Sequence, residues 1–128
     1  MSVIAHGVDL VEVARVAGML DRHGERFLER CFTPAERAYA MGRPRRDEHL
    51  AARFAAKEAV LKALGTGWRS GIAWTDVGVV VEPSGAPGVI LAGRARQIAD
   101  EQGAARWLVS LSHAGGFAVA SVIALDSA

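Results

Sequence analysis

The chain has one cysteine, Cys31, in 128 residues, which excludes an internal disulfide, a thiolate-held zinc cluster and a dithiol redox pair. Long apolar runs are also missing. The longest clean stretch, FAVASVIAL at Phe117–Leu125, is too short to span a bilayer. The first ten residues hold no basic segment followed by an apolar one, so the expectation is an unsecreted, cytoplasmic protein in a reducing compartment. The four histidines, His6, His23, His49 and His113, show no H-x-x-x-H spacing, which argues against a histidine-held zinc ion. Gly65-Thr66-Gly67 lacks the spacing of a Walker A loop and follows a helical run instead of opening one. Net charge is only +1 and aromatics are 6% of the chain, so a nucleic-acid-binding module is not indicated.

What is present is enough for a core: 51% hydrophobic and 23% charged residues point to one globular domain over residues 1–128. The near-neutral total conceals an uneven distribution. Val13 to Arg46 carries eight arginines (15, 22, 26, 30, 37, 43, 45 and 46) against Asp21, Glu25, Glu29 and Glu36. Lys57 and Lys62, the only lysines, fall in one helical run.

A short strand is expected over 2–8, placing Asp9 at its end, followed by an amphipathic helix over 10–20 with Val13, Val16, Ala17 and Leu20 on one face. Thr33-Pro34-Ala35-Glu36 spells a helix start, with Thr33 as N-cap, Pro34 at the first helical position and Glu36 closing a capping box. The clearest helix begins near Asp47 and runs through HLAARFAAKEAVLKAL to a stop at Gly65. Beyond it, β-rich runs at 77–82 and 89–91 flank a turn, 93–102 is helical, and strands at 106–112 and 117–125 flank a turn at His113-Ala114-Gly115-Gly116. The fold class is α+β: a mostly antiparallel sheet packed with one long helix and shorter helices.

Glu58 and Lys62 lie four apart and share a helix face, which is either a solvated ion pair or part of a charged site. Asp9 reads either as a cap for the following helix or, joined to Glu58, as half of a Mg²⁺ site, because Mg²⁺ takes one or two carboxylates and completes its shell with water and phosphate. Lys62 then offers the same phosphate a point charge. His113 either hydrogen-bonds its turn or serves a ligand.

Five blocks of residues belong together: GVDLVEVAR at 7–15, FTPAE at 32–36, RFAAKEAVLKALGTG at 53–67, GAP at 85–87, and VSLSH at 109–113 followed by AVASVI at 118–123. In this order and spacing the chain resembles the holo-(acyl carrier protein) synthases of the 4'-phosphopantetheinyl transferase superfamily, and the resemblance covers nearly the whole chain. It implies that fold, and transfer of the 4'-phosphopantetheine arm of coenzyme A to a serine of apo acyl carrier protein, with release of adenosine 3',5'-bisphosphate. It makes Asp9, Glu58 and Lys62 the catalytic group, with Asp9 and Glu58 as Mg²⁺ ligands. Arg53, Lys62, Gly65, Thr66, Pro87, Ser112 and His113 would bind coenzyme A. By the same resemblance the protein would be a homotrimer with active sites between subunits, acting in fatty-acid or polyketide-type synthesis. Acyl carrier proteins being acidic, Arg15, Arg22 and Arg26 with Met19 and Phe27 form a docking face that steers by charge and anchors by apolar burial; the alternative is a solvated face whose arginines pair with Asp21, Glu25 and Glu29. A non-catalytic homologue that binds coenzyme A or carrier protein is the competing function.

Overall fold

In the computed structural model, which describes residues 1–128, the first strand, β1, runs from Val3 to Glu12. Its side chains alternate: Gly7 and Val11 are buried on one face, with Asp9 between them, and Val8 and Leu10 stand exposed on the other. β1 pairs antiparallel with the last strand, β5 (Phe117–Leu125), down to Glu12 opposite Phe117. Asp9 therefore lies within the strand, not at its end as expected. Ladder bonds to β5 hold residues 9–12 extended, which delays the first helix, α1 (Val13–His23), by three residues. Gly24, at φ +53, separates α1 from α2 (Glu25–Cys31), a helix the sequence reading does not anticipate.

The capping box forms as expected. Thr33 accepts from the Glu36 amide, Glu36 accepts from the Thr33 amide, and α3 (Pro34–Ala40) follows. α4 spans Arg46–Leu64 and ends on Gly65 at φ +76, the left-handed conformation glycine adopts without strain. The hairpin of β2 (Val77–Val81) and β3 (Pro87–Leu91), then α5 (Gly93–Glu101) and β4 (Arg106–Ala114), complete the chain. β1, β5 and β4 form one antiparallel sheet in that order, and β2 and β3 a second. The expected α+β class holds, with the sheet divided in two.

α4 crosses the inner face of the larger sheet, touching all three strands. Both surfaces are built small for this contact. β5 offers Ala118, Ala120, Val122 and Ala124, and α4 offers Ala52, Ala55, Ala56 and Ala59, all buried. The closest approach is at Gly7, where an added Cβ would lie 2.0 Å from the Ala59 carbonyl oxygen. Backbone meets backbone there, so no rotamer change relieves the clash.

A second device fixes α4 from its other side. Lys57 and Glu36 are both 0% exposed and form an ion pair at 2.8 Å. The Lys57 ammonium also donates to the carbonyls of Trp74 and Val77, while Glu36 Oε2 accepts from the Val79 amide at 2.7 Å. Burial pushes the proton affinity of Lys57 down, and Glu36 opposes that shift. Every polar atom of the pair that the fold buries finds a partner, which is the condition under which buried charges are tolerated.

Two stability predictions follow from this packing. Gly7→Ala is expected to cost about 3 kcal/mol by overpacking, measured as a fall in the urea midpoint. Lys57→Met, which strands the Glu36 carboxylate, is expected to cost about 3–5 kcal/mol, whereas Lys57→Met with Glu36→Gln should lose clearly less than the sum of the two single changes in a double-mutant denaturation cycle.

Candidate active site

The candidate functional side chains fall into two groups along α4. Near its C-terminal end, Lys62 donates to Asp9 Oδ1 at 2.9 Å and to the Val8 carbonyl at 3.1 Å. The expected i,i+4 pair with Glu58 does not form, because Asp9 faces the helix from β1 and captures the ammonium. Glu58 instead accepts from the Trp68 indole N–H through Oε1 at 3.2 Å, and Oε2 is left without a partner in the chain. Gly65 and Thr66 wrap the end of the helix, their amides returning to the Leu61 carbonyl. Asp9 thus meets Lys62 directly, while Glu58 lies one helical turn before Lys62 with its carboxylate on Trp68. No group of three or more His, Cys, Asp or Glu side chains is placed to hold a metal ion. Should Asp9 and Glu58 share an ion, two carboxylates suit a hydrated cation that also takes a phosphate, not an ion caged wholly by protein.

The second group lies nearer the start of α4, around a depression of about 240 Å³ lined by Tyr39, Arg53, Pro87, Ser110 and His113 among others. Arg53 is 4% exposed, donates to the His49 carbonyl at 3.3 Å, and keeps its Nε without a partner. No carboxylate pairs with it. Its guanidinium lies 4.1 Å from the centre of the Tyr39 ring, and that of Arg43 lies 4.0 Å from the same ring, favourable cation–π placements. Burial lowers the proton affinity of Arg53, yet a guanidinium stays charged in proteins. Arg53 is thus a buried guanidinium that makes no ion pair and lines the depression, a placement that suits an anionic ligand. His49, whose ring meets Tyr39 edge-on, has its proton affinity lowered first by burial and then by Arg53, Arg43 and His113.

Two expected placements need correction. His113 does not open a turn: it is the eighth residue of β4, paired with Ala118, and the turn consists of Gly115 and Gly116 at φ +60 and +82. Two consecutive positive-φ residues make the tight hairpin whose twist matches its strands. Ser112 consequently points to the opposite face of β4 from His113, as Ser110 does, and Ser112 is absent from the lining of the depression. Sequence reading does not single out Tyr39, His49 or Trp68. The only local signal for them is the i,i+4 spacing of His49 and Arg53.

Nor does one chain unite the two groups. Arg53 and Lys62 are nine residues apart on one straight helix, about 13 Å along its axis, and the depression holding Arg53, Pro87 and His113 excludes Asp9, Glu58, Lys62, Gly65 and Thr66. The arginines of the expected docking face are free of acid partners: Arg15, Arg22 and Arg26 are exposed, make no ion pair with Asp21, Glu25 or Glu29, and Glu25 turns to Arg37. Met19 is partly exposed beside them. Phe27, at 7% exposure and edge-on to the Phe32 ring, belongs to the core, so it cannot be the exposed anchor that the docking reading assigned to it.

Known proteins match the chain nearly end to end. The family model described as the 4'-phosphopantetheinyl transferase superfamily matches residues 5–122. The chain is 47% identical over 124 residues to a holo-[acyl-carrier-protein] synthase of Koribacter versatilis, covering 97% of this chain and 99% of that one. Among solved structures it is similar to the holo-[acyl-carrier-protein] synthase of Neisseria meningitidis, with a TM-score of 0.86 at 31% identity, covering 98% and 100% of the two chains. It is also similar to that of Helicobacter pylori, solved in complex with coenzyme A, with a TM-score of 0.82 at 30% identity, covering 94% and 99%. With Asp9 held against Lys62 near the end of the long helix and the family's pattern matched nearly end to end, the chain belongs to the 4'-phosphopantetheinyl transferase superfamily.

Proposed function

We infer that this protein is a holo-(acyl carrier protein) synthase: it transfers the 4'-phosphopantetheine group of coenzyme A to a serine of apo acyl carrier protein and releases adenosine 3',5'-bisphosphate. The observation that carries this reading is the Asp9–Lys62 contact with Glu58 one turn before it. In the reaction the serine oxygen forms a bond to the phosphorus that bears pantetheine, and the bridging phosphorus–oxygen bond of the pyrophosphate breaks. Charge accumulates on the leaving phosphate, so catalysis rests on positioning and neutralisation.

Asp9 and Glu58 are the residues to hold Mg²⁺, and Asp9 would give up part of its contact with Lys62 to do so. Bound there, Mg²⁺ supplies Lewis-acid polarisation of the phosphorus and charge for the leaving group. Lys62 offers the pyrophosphate a compact point charge. The serine proton goes either to Glu58, whose Oε2 is unengaged, or to solvent. Gly65 and Thr66 border this group, and Arg53, Pro87 and His113 receive the anionic end of coenzyme A. Ser112 faces away from that pocket and is left out of it.

The separation of the two groups along α4 supports a homotrimer in which each active site takes Asp9, Glu58 and Lys62 from one subunit and the Arg53 pocket from its neighbour. The outer face of the larger sheet offers the surface for it. Val8 and Leu10 are 50% and 62% exposed there, with Leu108 and Phe117 beside them, an apolar patch of the kind that marks an interface. The acidic carrier protein docks on Arg15, Met19, Arg22 and Arg26, whose charges have no partner in the chain. No helix is long and apolar enough to cross a membrane, and cytoplasmic action on a fatty-acid or polyketide-type carrier fits this reading. Residues 1–128 act as one transferase domain.

Mass spectrometry of apo carrier protein incubated with the enzyme, coenzyme A and Mg²⁺ tests the assignment. A gain of one phosphopantetheine, abolished by EDTA and by replacing the acceptor serine, is expected; coenzyme A binding without transfer to any carrier would establish the non-catalytic alternative instead. Asp9→Ala and Glu58→Ala should each lower Mg²⁺-dependent kcat by at least about 100-fold with the assembly unchanged by light scattering. Arg15→Glu and Arg22→Glu should raise KM for carrier protein about tenfold while KM for coenzyme A stays put, an effect that fades with added salt.

A further inference from the structure

Two imidazoles border the Arg53 depression, and the fold treats them differently. His49 donates no side-chain hydrogen bond, and burial together with Arg53 and Arg43, opposed by Glu48, favours its neutral ring. His113 reaches its depression from β4 and meets a carboxylate: Nδ1 lies 2.5 Å from Glu48 Oε2. Glu48 stands in the first turn of α4. Its other oxygen has only a distant partner, the exposed Arg45 at 3.8 Å. The carboxylate is therefore committed to the imidazole more than to any arginine.

We propose that Glu48 is a positioning residue of the coenzyme A pocket: by accepting the Nδ1–H of His113 it fixes the ring and leaves Nε2 to meet a phosphate of the substrate. The inference rests on the coenzyme A reading of this depression. A histidine ring has two distinct nitrogens, and the hydrogen bond at one decides what the other presents. With Nδ1–H given to Glu48, the neutral ring shows a lone pair at Nε2. With a phosphate bound, the ring bridges carboxylate and phosphate, one N–H to each. The charged groups around His113 suit that role. Arg53 and His49 come from α4 beside Glu48, Tyr39 from α3, and Arg43 from the loop before α4, while the β2–β3 hairpin contributes the uncharged Val81, Gly85 and Pro87. Glu48 is the only acid in this set, so it alone can hold the imidazole beside two arginines.

The geometry makes Glu48 act through His113, and the test is built on that dependence. Nitrogen-15 NMR of the free protein, with His113 assigned by the signal lost in His113→Gln, should show the Nδ1–H tautomer in wild type and in Glu48→Gln, whose amide oxygen still accepts. In Glu48→Ala it should shift toward the Nε2–H tautomer. Glu48→Ala should weaken coenzyme A binding about tenfold, as loss of a charge-assisted hydrogen bond does. The loss should appear in KM more than in kcat, with Glu48→Gln recovering part of it. His113→Gln should remove most of the effect of Glu48→Ala in a double-mutant cycle. An unmoved tautomer, or losses at 48 and 113 that simply add while wild type binds coenzyme A, would overturn this assignment and leave the proposed function standing. Wild type failing to bind coenzyme A would overturn both.

Discussion

The contact on which the molecule depends is the near-touching of two backbones where Gly7 of β1 passes under Ala59 of α4. Helices ordinarily pack on sheets through side chains that hold them about 10 Å away. Here one partner has no side chain, and the surrounding positions on β5 and α4 are mostly alanine. The helix sits low, and its flank comes within reach of groups on the strand two residues further on. Asp9 meets Lys62 for this reason. A larger residue at position 7 would raise the helix and separate the ammonium from the carboxylate, so packing and chemistry are settled at the same crossing.

The buried Lys57–Glu36 pair complements that crossing. It closes on backbone groups of the Trp74–Asp76 turn and of β2, so the small hairpin is fastened to the helix that carries the site. Glu36 performs two tasks with two oxygens: Oε1 completes the capping box and meets Lys57, and Oε2 takes an amide from β2. Replacing such a pair by apolar residues of equal volume is often neutral. What the ions add is direction, because hydrogen bonds at fixed angles set where the hairpin lies, and that hairpin brings Pro87 to the Arg53 depression.

Features encoded within a few residues were legible from sequence. The Thr33–Glu36 box and the Arg46–Leu64 helix depend on neighbours in the chain, and both form as read. Asp9, Glu58 and Lys62 could be nominated from their residue types and the family pattern. Features that depend on distant pairing were not legible. β1 extends to Glu12 because β5 is there to pair with it, a partner more than 100 residues away. Lys62 chooses Asp9 over Glu58 for a tertiary reason, and Lys57 reads as one more helix cation until the fold buries it against Glu36. Ser112 and His113 look alike as neighbours, but a strand separates them to opposite faces, and the sequence does not say where the strand stops.

That separation gives the Gly115–Gly116 turn a significance out of proportion to its chemistry. It is exposed and touches nothing in the site, so it has the look of a place where chains freely gain or lose residues. Yet side chains on a strand have a period of two. One extra residue absorbed into β4, with β5 held in register by β1, would carry His113 to the outer face and bring Ser112 inward beside Arg53. The hairpin is therefore a counting device: composition there is cheap to change, and length is not, because parity along β4 decides which side of the sheet faces the anion.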